Sequence, residues 1–93
     1  MRSIKYTSRF KKDLRRELKG KRGAQMREVL KALIPMLQAD QILPAHHFDH
    51  ALSGVWKDCR DLHVLPDLIL IYRKLGDDSL EFVRIGSHSE LTL

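Results

Sequence analysis

Leu68-Ile69-Leu70-Ile71-Tyr72-Arg73-Lys74, then Gly76-Asp77-Asp78, then Leu80-Glu81-Phe82-Val83-Arg84-Ile85, is the stretch on which the fold turns. Its first five residues are all apolar, which predicts a central strand buried on both faces. Gly76-Asp77-Asp78 has turn chemistry, and the run from Leu80 to Ile85 is then the returning strand of a hairpin. Toward the N-terminus, Pro66 breaks the chain from a further strand predicted over Val55–Val64, with Trp56 as its anchor. Before that, Gln41 to Gly54 carries Pro44, three histidines and a closing Ser53-Gly54, and reads as irregular chain. Upstream again the apolar period changes to that of helices. Met26, Val29, Leu30, Leu33, Ile34 and Leu37 form a wide face on a helix starting near Ala24. Pro35 is expected to kink that helix or end its first segment. Phe10, Leu14 and Leu18 form a narrower stripe on a first helix that Thr7 or Ser8 can cap. Gly20 and Gly23 link the two helices into a hairpin, and residues 2–6 suit a short strand. The order is β-α-α-β-β-β. This is an α+β fold, expected as one domain over residues 1–93, with an antiparallel sheet and an α-helical hairpin packed on one face.

The chain has 93 residues and one cysteine, Cys59, so an internal disulfide is impossible. The N-terminal charges are not followed by an apolar core, and no run approaches the ~18 apolar residues of a membrane span. The expectation is a soluble cytoplasmic protein with no membrane contact. The net charge of +5 is unevenly placed: residues 1–31 hold twelve Lys/Arg against three Asp/Glu, and residues 32–93 hold five against nine. All five histidines lie in the acidic part. One part suits a polyanion, and the other carries groups that titrate near neutral pH.

Four segments place titratable side chains where packing does not ask for them: Asp49-His50, Asp61-Leu62-His63, Pro66-Asp67 and Arg84-Ile85-Gly86-Ser87-His88. Residues two apart on a strand share a face, so Asp61 and His63 point the same way, as do Arg84, Gly86 and His88 while the chain stays extended. In the antiparallel hairpin the start of one strand lies beside the end of the other. His63 and Asp67 therefore emerge at the same edge as Arg84 and His88. Such a cluster suits RNA cleavage by the substrate's own 2′-hydroxyl. That reaction needs a base for the hydroxyl proton, an acid for the leaving 5′-oxygen and a cation for the phosphorane. Histidine serves either proton-transfer role near pH 7, and arginine clamps phosphate without losing its charge. Plainer roles exist for each residue alone. A histidine at a strand end is usually a surface residue, and Arg84 can pair with Glu81, Asp67 or Asp61. Trp56 and Tyr72 fit the core, and the Lys/Arg run of the first helix is by default a solvated face. His46, His47 and His50 have helical ligand spacing, but a loop without a second ligand pair does not make a zinc site, so no metal or other cofactor is expected.

The run from His50 to Tyr72, followed by Arg84-Ile85-Gly86-Ser87-His88, has the pattern DHxLxGxWKxxRDxHVxPDxILIY … RxGxH and resembles the YafQ-type toxins of the RelE/ParE superfamily. The N-terminal Tyr6-Thr-Ser-Arg-Phe-Lys-Lys-Asp-Leu14 and the two-helix layout fit as well. The resemblance implies a RelE-like fold and a toxin of a type II toxin–antitoxin pair. Such a toxin is a ribosome-dependent endoribonuclease that cuts mRNA in the A site without metal and is neutralised by a DinJ-like antitoxin. Carried over residue by residue, His50, His63, Asp67 and His88 match the proton-transfer residues and Arg84 the phosphate-contacting arginine. His88 is the expected general acid, Asp67 or His63 the base, and His50 a positioning or proton-sharing group. Lys11, Lys12, Arg15, Arg16, Lys19, Lys21 and Arg22 would then hold ribosomal RNA and mRNA. Relatives often carry an aromatic after the Pro-Asp and another near the C-terminus. Here those places read Leu68 and Ser89-Glu-Leu-Thr-Leu93. Two other functions compete: a ParE-like inhibitor of DNA gyrase, which has no need of the histidine set, and a non-catalytic basic RNA- or ribosome-binding module.

Overall fold

A computed structural model describes all 93 residues. At its centre stands the hairpin of β4 (Leu68–Leu75) and β5 (Ser79–Gly86). With β1 (Ser3–Tyr6), β2 (His50–Ala51) and β3 (Arg60–Leu65) these strands form a five-stranded sheet in the order β1-β5-β4-β3-β2. The helices α1 (Ser8–Leu18) and α2 (Gly23–Gln38) intervene between β1 and the rest.

Leu68 to Tyr72 are all buried because both faces of β4 are covered. Leu68, Leu70 and Tyr72 join Leu62, Phe82 and Ile85 in the main core, which Phe10, Met26, Leu30, Leu33 and Leu37 of the helices complete. Ile69 and Ile71 look the other way, into a smaller cluster with Cys59 and the tail residue Leu91, flanked by Leu52, Trp56 and Val83.

The sheet departs from the expected antiparallel arrangement at one edge. β1 runs parallel to β5, with Ser3 opposite Ser79 and Tyr6 opposite Phe82. A tight hairpin forces antiparallel pairing, but here two helices and three strands separate the partners, so no turn constrains their direction. Two bulges also interrupt the register. Val64 is the extra residue between the His63–Ile69 and Leu65–Leu68 pairs, and Val83 between Ile71–Arg84 and Tyr72–Phe82. The second bulge leaves Val83 on the face away from the helices, against Ile71 in the smaller cluster.

Other expectations need correction. β3 does not begin at Val55: Val55 lies in a 3-10 turn, Gly54–Trp56, and is fully in solvent. Gly54 and Asp58 have φ of +67° and +71°, left-handed values that no strand adopts. Pro35 does not end α2, which continues to Gln38. The missing N–H leaves the carbonyl one turn earlier, at exposed Lys31, without its helical partner. On α1 the stripe Phe10-Leu14-Leu18 is only part of the buried face, with Leu14 partly buried against the core. Phe10 is buried, Leu18 is largely exposed, and the remaining buried positions are Asp13 and Glu17. Thr7 caps α1 as expected, its hydroxyl oxygen accepting from the Phe10 N–H at 3.0 Å. Gly23 is required where the helices meet, since a Cβ there would lie 2.5 Å from the Leu18 carbonyl oxygen.

Candidate active site

The β3–β4 turn, Pro66-Asp67, lies beside the chain leaving β5. Asp67 Oδ1 accepts two hydrogen bonds from His88, one from Nδ1 at 2.6 Å and one from the backbone N–H at 3.1 Å. An ionised carboxylate only accepts, so Nδ1 carries the proton and Nε2 is left for a substrate. The hydrogen bond from the His88 side chain, followed by that from its backbone, holds the Asp67 carboxyl below the usual aspartate range, and the positive charge of Arg22 adds to this. The His63 ring stands edge-on to that of His88, with centroids 5.2 Å apart, and Phe48 stands edge-on to His63 at 5.3 Å. Asp61 shares the face of His63, as the strand period requires: their register partners Ile71 and Ile69 both belong to the smaller cluster.

His50 pairs with Asp61 across the β2–β3 ladder, and its Nδ1 lies 3.0 Å from Asp61 Oδ1. That nitrogen donates its hydrogen to the Phe48 carbonyl at 2.7 Å instead. Asp61 is 4% exposed, and its Oδ1 is left with no hydrogen-bond donor. Burial raises the Asp61 carboxyl above its ordinary value, and His50, His63 and His88 offset part of that rise.

The structure therefore brings His63, Asp67 and His88 together, with His50 beside them through Asp61. It places Arg84 differently. Its guanidinium is bound to Asp13 of α1, Nε to Oδ2 at 2.7 Å and Nη2 to Oδ1 at 3.2 Å. Burial would raise the Asp13 carboxyl, but the bonds from Arg84 and the Ile85 N–H, with the charge of Arg16, bring it below the usual range. Arg84 lines a cavity of about 280 Å³ with Thr7, Arg9, Trp56 and Val83, and the buried Trp56 Nε1 has no partner. The basic residues of the helices divide into two groups. Arg16 is engaged with Asp13, Glu17 and Glu90, and Arg22 with Glu17. Lys11, Lys12, Arg15, Lys19 and Lys21 are exposed and outside any ion pair.

Three residues matter more than the sequence indicates. Asp61 shares a face with His63, a signal present in the strand period, but its depth is not. His47, one of the three histidines at helical ligand spacing, donates from Nδ1 to the His63 carbonyl at 2.6 Å and so fixes the strand beneath the site. Asp13 looks like one more charge on a solvated helix and is the anchor of Arg84. No three His, Cys, Asp or Glu side chains converge as a metal-holding group.

The family described as the bacterial toxin of type II toxin–antitoxin systems, YafQ, matches residues 2–93. The chain belongs to the YafQ toxin family. The mRNA interferase toxin YafQ of Escherichia coli K12 is 45% identical over 91 residues, covering 97% of this chain and 95% of that one. The fold agrees as well. YafQ in the E. coli DinJ–YafQ complex superposes with a TM-score of 0.81 at 41% identity, over 98% of both chains. A copper-bound mutant toxin from Helicobacter pylori gives 0.83 at 35% identity, over 98% of this chain and 99% of that one. A YafQ toxin is thus a two-helix hairpin on a mixed five-stranded sheet, and this chain's helices carry no segment long and apolar enough to cross a membrane.

Proposed function

We propose that this chain is an mRNA interferase: a ribosome-dependent endoribonuclease that acts as one domain in the cytoplasm and is neutralised by a DinJ-like antitoxin. The observation that carries the proposal is the Asp67–His88 pair, 2.6 Å apart and edge-on to His63 in a family whose E. coli member is named for mRNA cleavage. The complexes of E. coli YafQ with DinJ support the choice of partner.

The chemistry is divided among the chain's own groups. Asp67 is a poor base, because hydrogen bonds from His88 hold its charge in place. It orients His88 instead, so that Nε2 protonates the leaving 5′-oxygen. His63 takes the proton of the attacking 2′-hydroxyl. His50, fixed by the Phe48 carbonyl, lies at the flank beside Asp61. Arg84 binds the phosphate through Nη1, which its pairing with Asp13 leaves over. No metal takes part, and DNA, which lacks the 2′-hydroxyl, is not cut. A gyrase inhibitor has no use for this set of groups.

The test is a map of mRNA 5′ ends on translating ribosomes. Wild-type protein is expected to give in-frame cuts and to stop translation. His88→Ala is expected to lose the cuts by at least about 10²-fold while still binding antitoxin. Undiminished cutting by His88→Ala, or cutting that vanishes with metal chelation at adequate ribosomal Mg²⁺, overturns the assignment.

A further inference from the structure

Phe48 is 61% exposed, although the residues on either side of it are pinned. His47 is buried and bonded to the His63 carbonyl. Asp49 accepts from the Tyr72 hydroxyl at 2.7 Å and from Arg60 Nε at 3.1 Å. Between these anchors the Phe48 backbone has φ of +48°, a left-handed conformation that a bulky aromatic residue rarely adopts. Nothing in the core uses the ring. The same twist aims its carbonyl at His50 and sets its edge against His63. Strain of this kind persists where surrounding structure imposes it, and it concentrates at functional sites.

Next to the ring lies an open cavity of about 550 Å³, lined by Val29, His46, His47, Phe48, His63 and Pro66 among others. His63 belongs both to this cavity and to the catalytic cluster, so whatever fills the cavity is adjacent to the reacting phosphate. The residue after Pro66-Asp67 and the C-terminal tail offer no phenyl or indole ring here. Leu68 is fully buried in the main core, and Leu91 of the tail is buried in the smaller cluster.

We propose that Phe48 is a base-stacking platform, and that the cavity beside it receives the nucleobase neighbouring the scissile phosphate. The proposal rests on the nuclease reading and names where that nuclease grips its RNA. Single-stranded bases are bound by stacking on aromatic faces, and their edges are read by nearby donors and acceptors. Exposed His46, its ring 4.1 Å from that of His47, stands at the rim to supply such a contact. Phe48 fixes the nucleotide, and the imidazoles act on its phosphate.

The experiment compares cleavage of a single defined codon on programmed ribosomes by wild type, Phe48→Asn and Phe48→Tyr. Asparagine tolerates the left-handed conformation and removes only the ring. Phe48→Asn is expected to lose about 10- to 100-fold in kcat/KM without a lower unfolding midpoint, the range that stacking one base supports. Phe48→Tyr is expected to stay within about threefold of wild type, because the stacking face is kept. In a His88→Ala background, 2-aminopurine beside the cut site is expected to be quenched with Phe48 present and bright with Asn in its place. Full activity in Phe48→Asn, or quenching that ignores residue 48, overturns the proposal while the nuclease reading stands. Full activity with weakened antitoxin binding also overturns it, and gives the ring to the antitoxin. A wild-type protein that cuts no mRNA brings down the nuclease reading and this proposal with it.

Discussion

Asp61 and Asp67 are two carboxylates on the same site with opposite environments. Asp67 is exposed and accepts two hydrogen bonds from His88, whereas the Oδ1 of buried Asp61 accepts none. A carboxyl titration by NMR is expected to place Asp67 below, and Asp61 above, the ~3.9 of free aspartate. The reverse order would contradict both assignments. The raised folded value of Asp61 means that its charge costs the fold stability at every pH above that value. Below the unfolded value both states are protonated and the cost is gone. Asp61→Asn is therefore expected to raise the thermal unfolding midpoint at pH 8, with the gain shrinking toward pH 3. Cleavage should fall at least about tenfold as the imidazoles lose their counter-charge. For Asp67 the sign is opposite: its contribution is present above the unfolded value and lost as pH drops through the folded one. The strand period showed which site residues share a face, because alternation is a property of the backbone alone. It did not show that Asp61 is deep or Phe48 exposed. Those depend on how residues 45–50 cross the sheet edge, and no repeat in that segment encodes its path.

Helix α1 is held to the sheet through charge as much as through apolar contact. Asp13 accepts from Arg84, Arg16 and the Ile85 N–H at once. Asp13→Ala leaves the Arg84 guanidinium largely buried without its partner, and is expected to destabilise the protein by about 2–4 kcal/mol in urea unfolding. Thr7→Ala is expected to cost about 1–2 kcal/mol, since the hydroxyl both caps α1 and donates to the Val83 carbonyl at 2.7 Å. Elements with a strong apolar pattern were legible. The β4–β5 hairpin lies where Leu68–Lys74 and Leu80–Ile85 placed it, within one residue at each end. The buried face of α1 was not, because a period read from apolar residues passes over carboxylates that are buried only when paired. The start of β3 was misplaced because Val55 and Trp56 have strand-like side chains, while the backbone at Gly54 and Asp58 turns.

Across the whole molecule the charge asymmetry survives folding as a separation in space. Lys11, Lys12 and Arg15 on α1, with Lys19 and Lys21 in the link that follows it, remain free, while the titrating groups gather at the ends of β3, β4 and β5. Replacing Lys11, Lys12 and Arg15 by Gln is expected to reduce the slope of log affinity against log salt for ribosomes by about 2. An unchanged slope would remove those residues from the RNA contact. The strand order was the least legible feature, because Ser3–Tyr6 is short and half polar and says nothing about its partner. That order has a further consequence for how the chain comes into being. β1 leaves the ribosome first, yet its hydrogen-bonding partners are residues 79–82 of the last strand. The sheet cannot close around β5 until residues 79–86 have been made, and His88 follows only after that. The first-made strand takes its place last, so a copy translated only as far as β4 has neither its full sheet nor the Asp67–His88 pair.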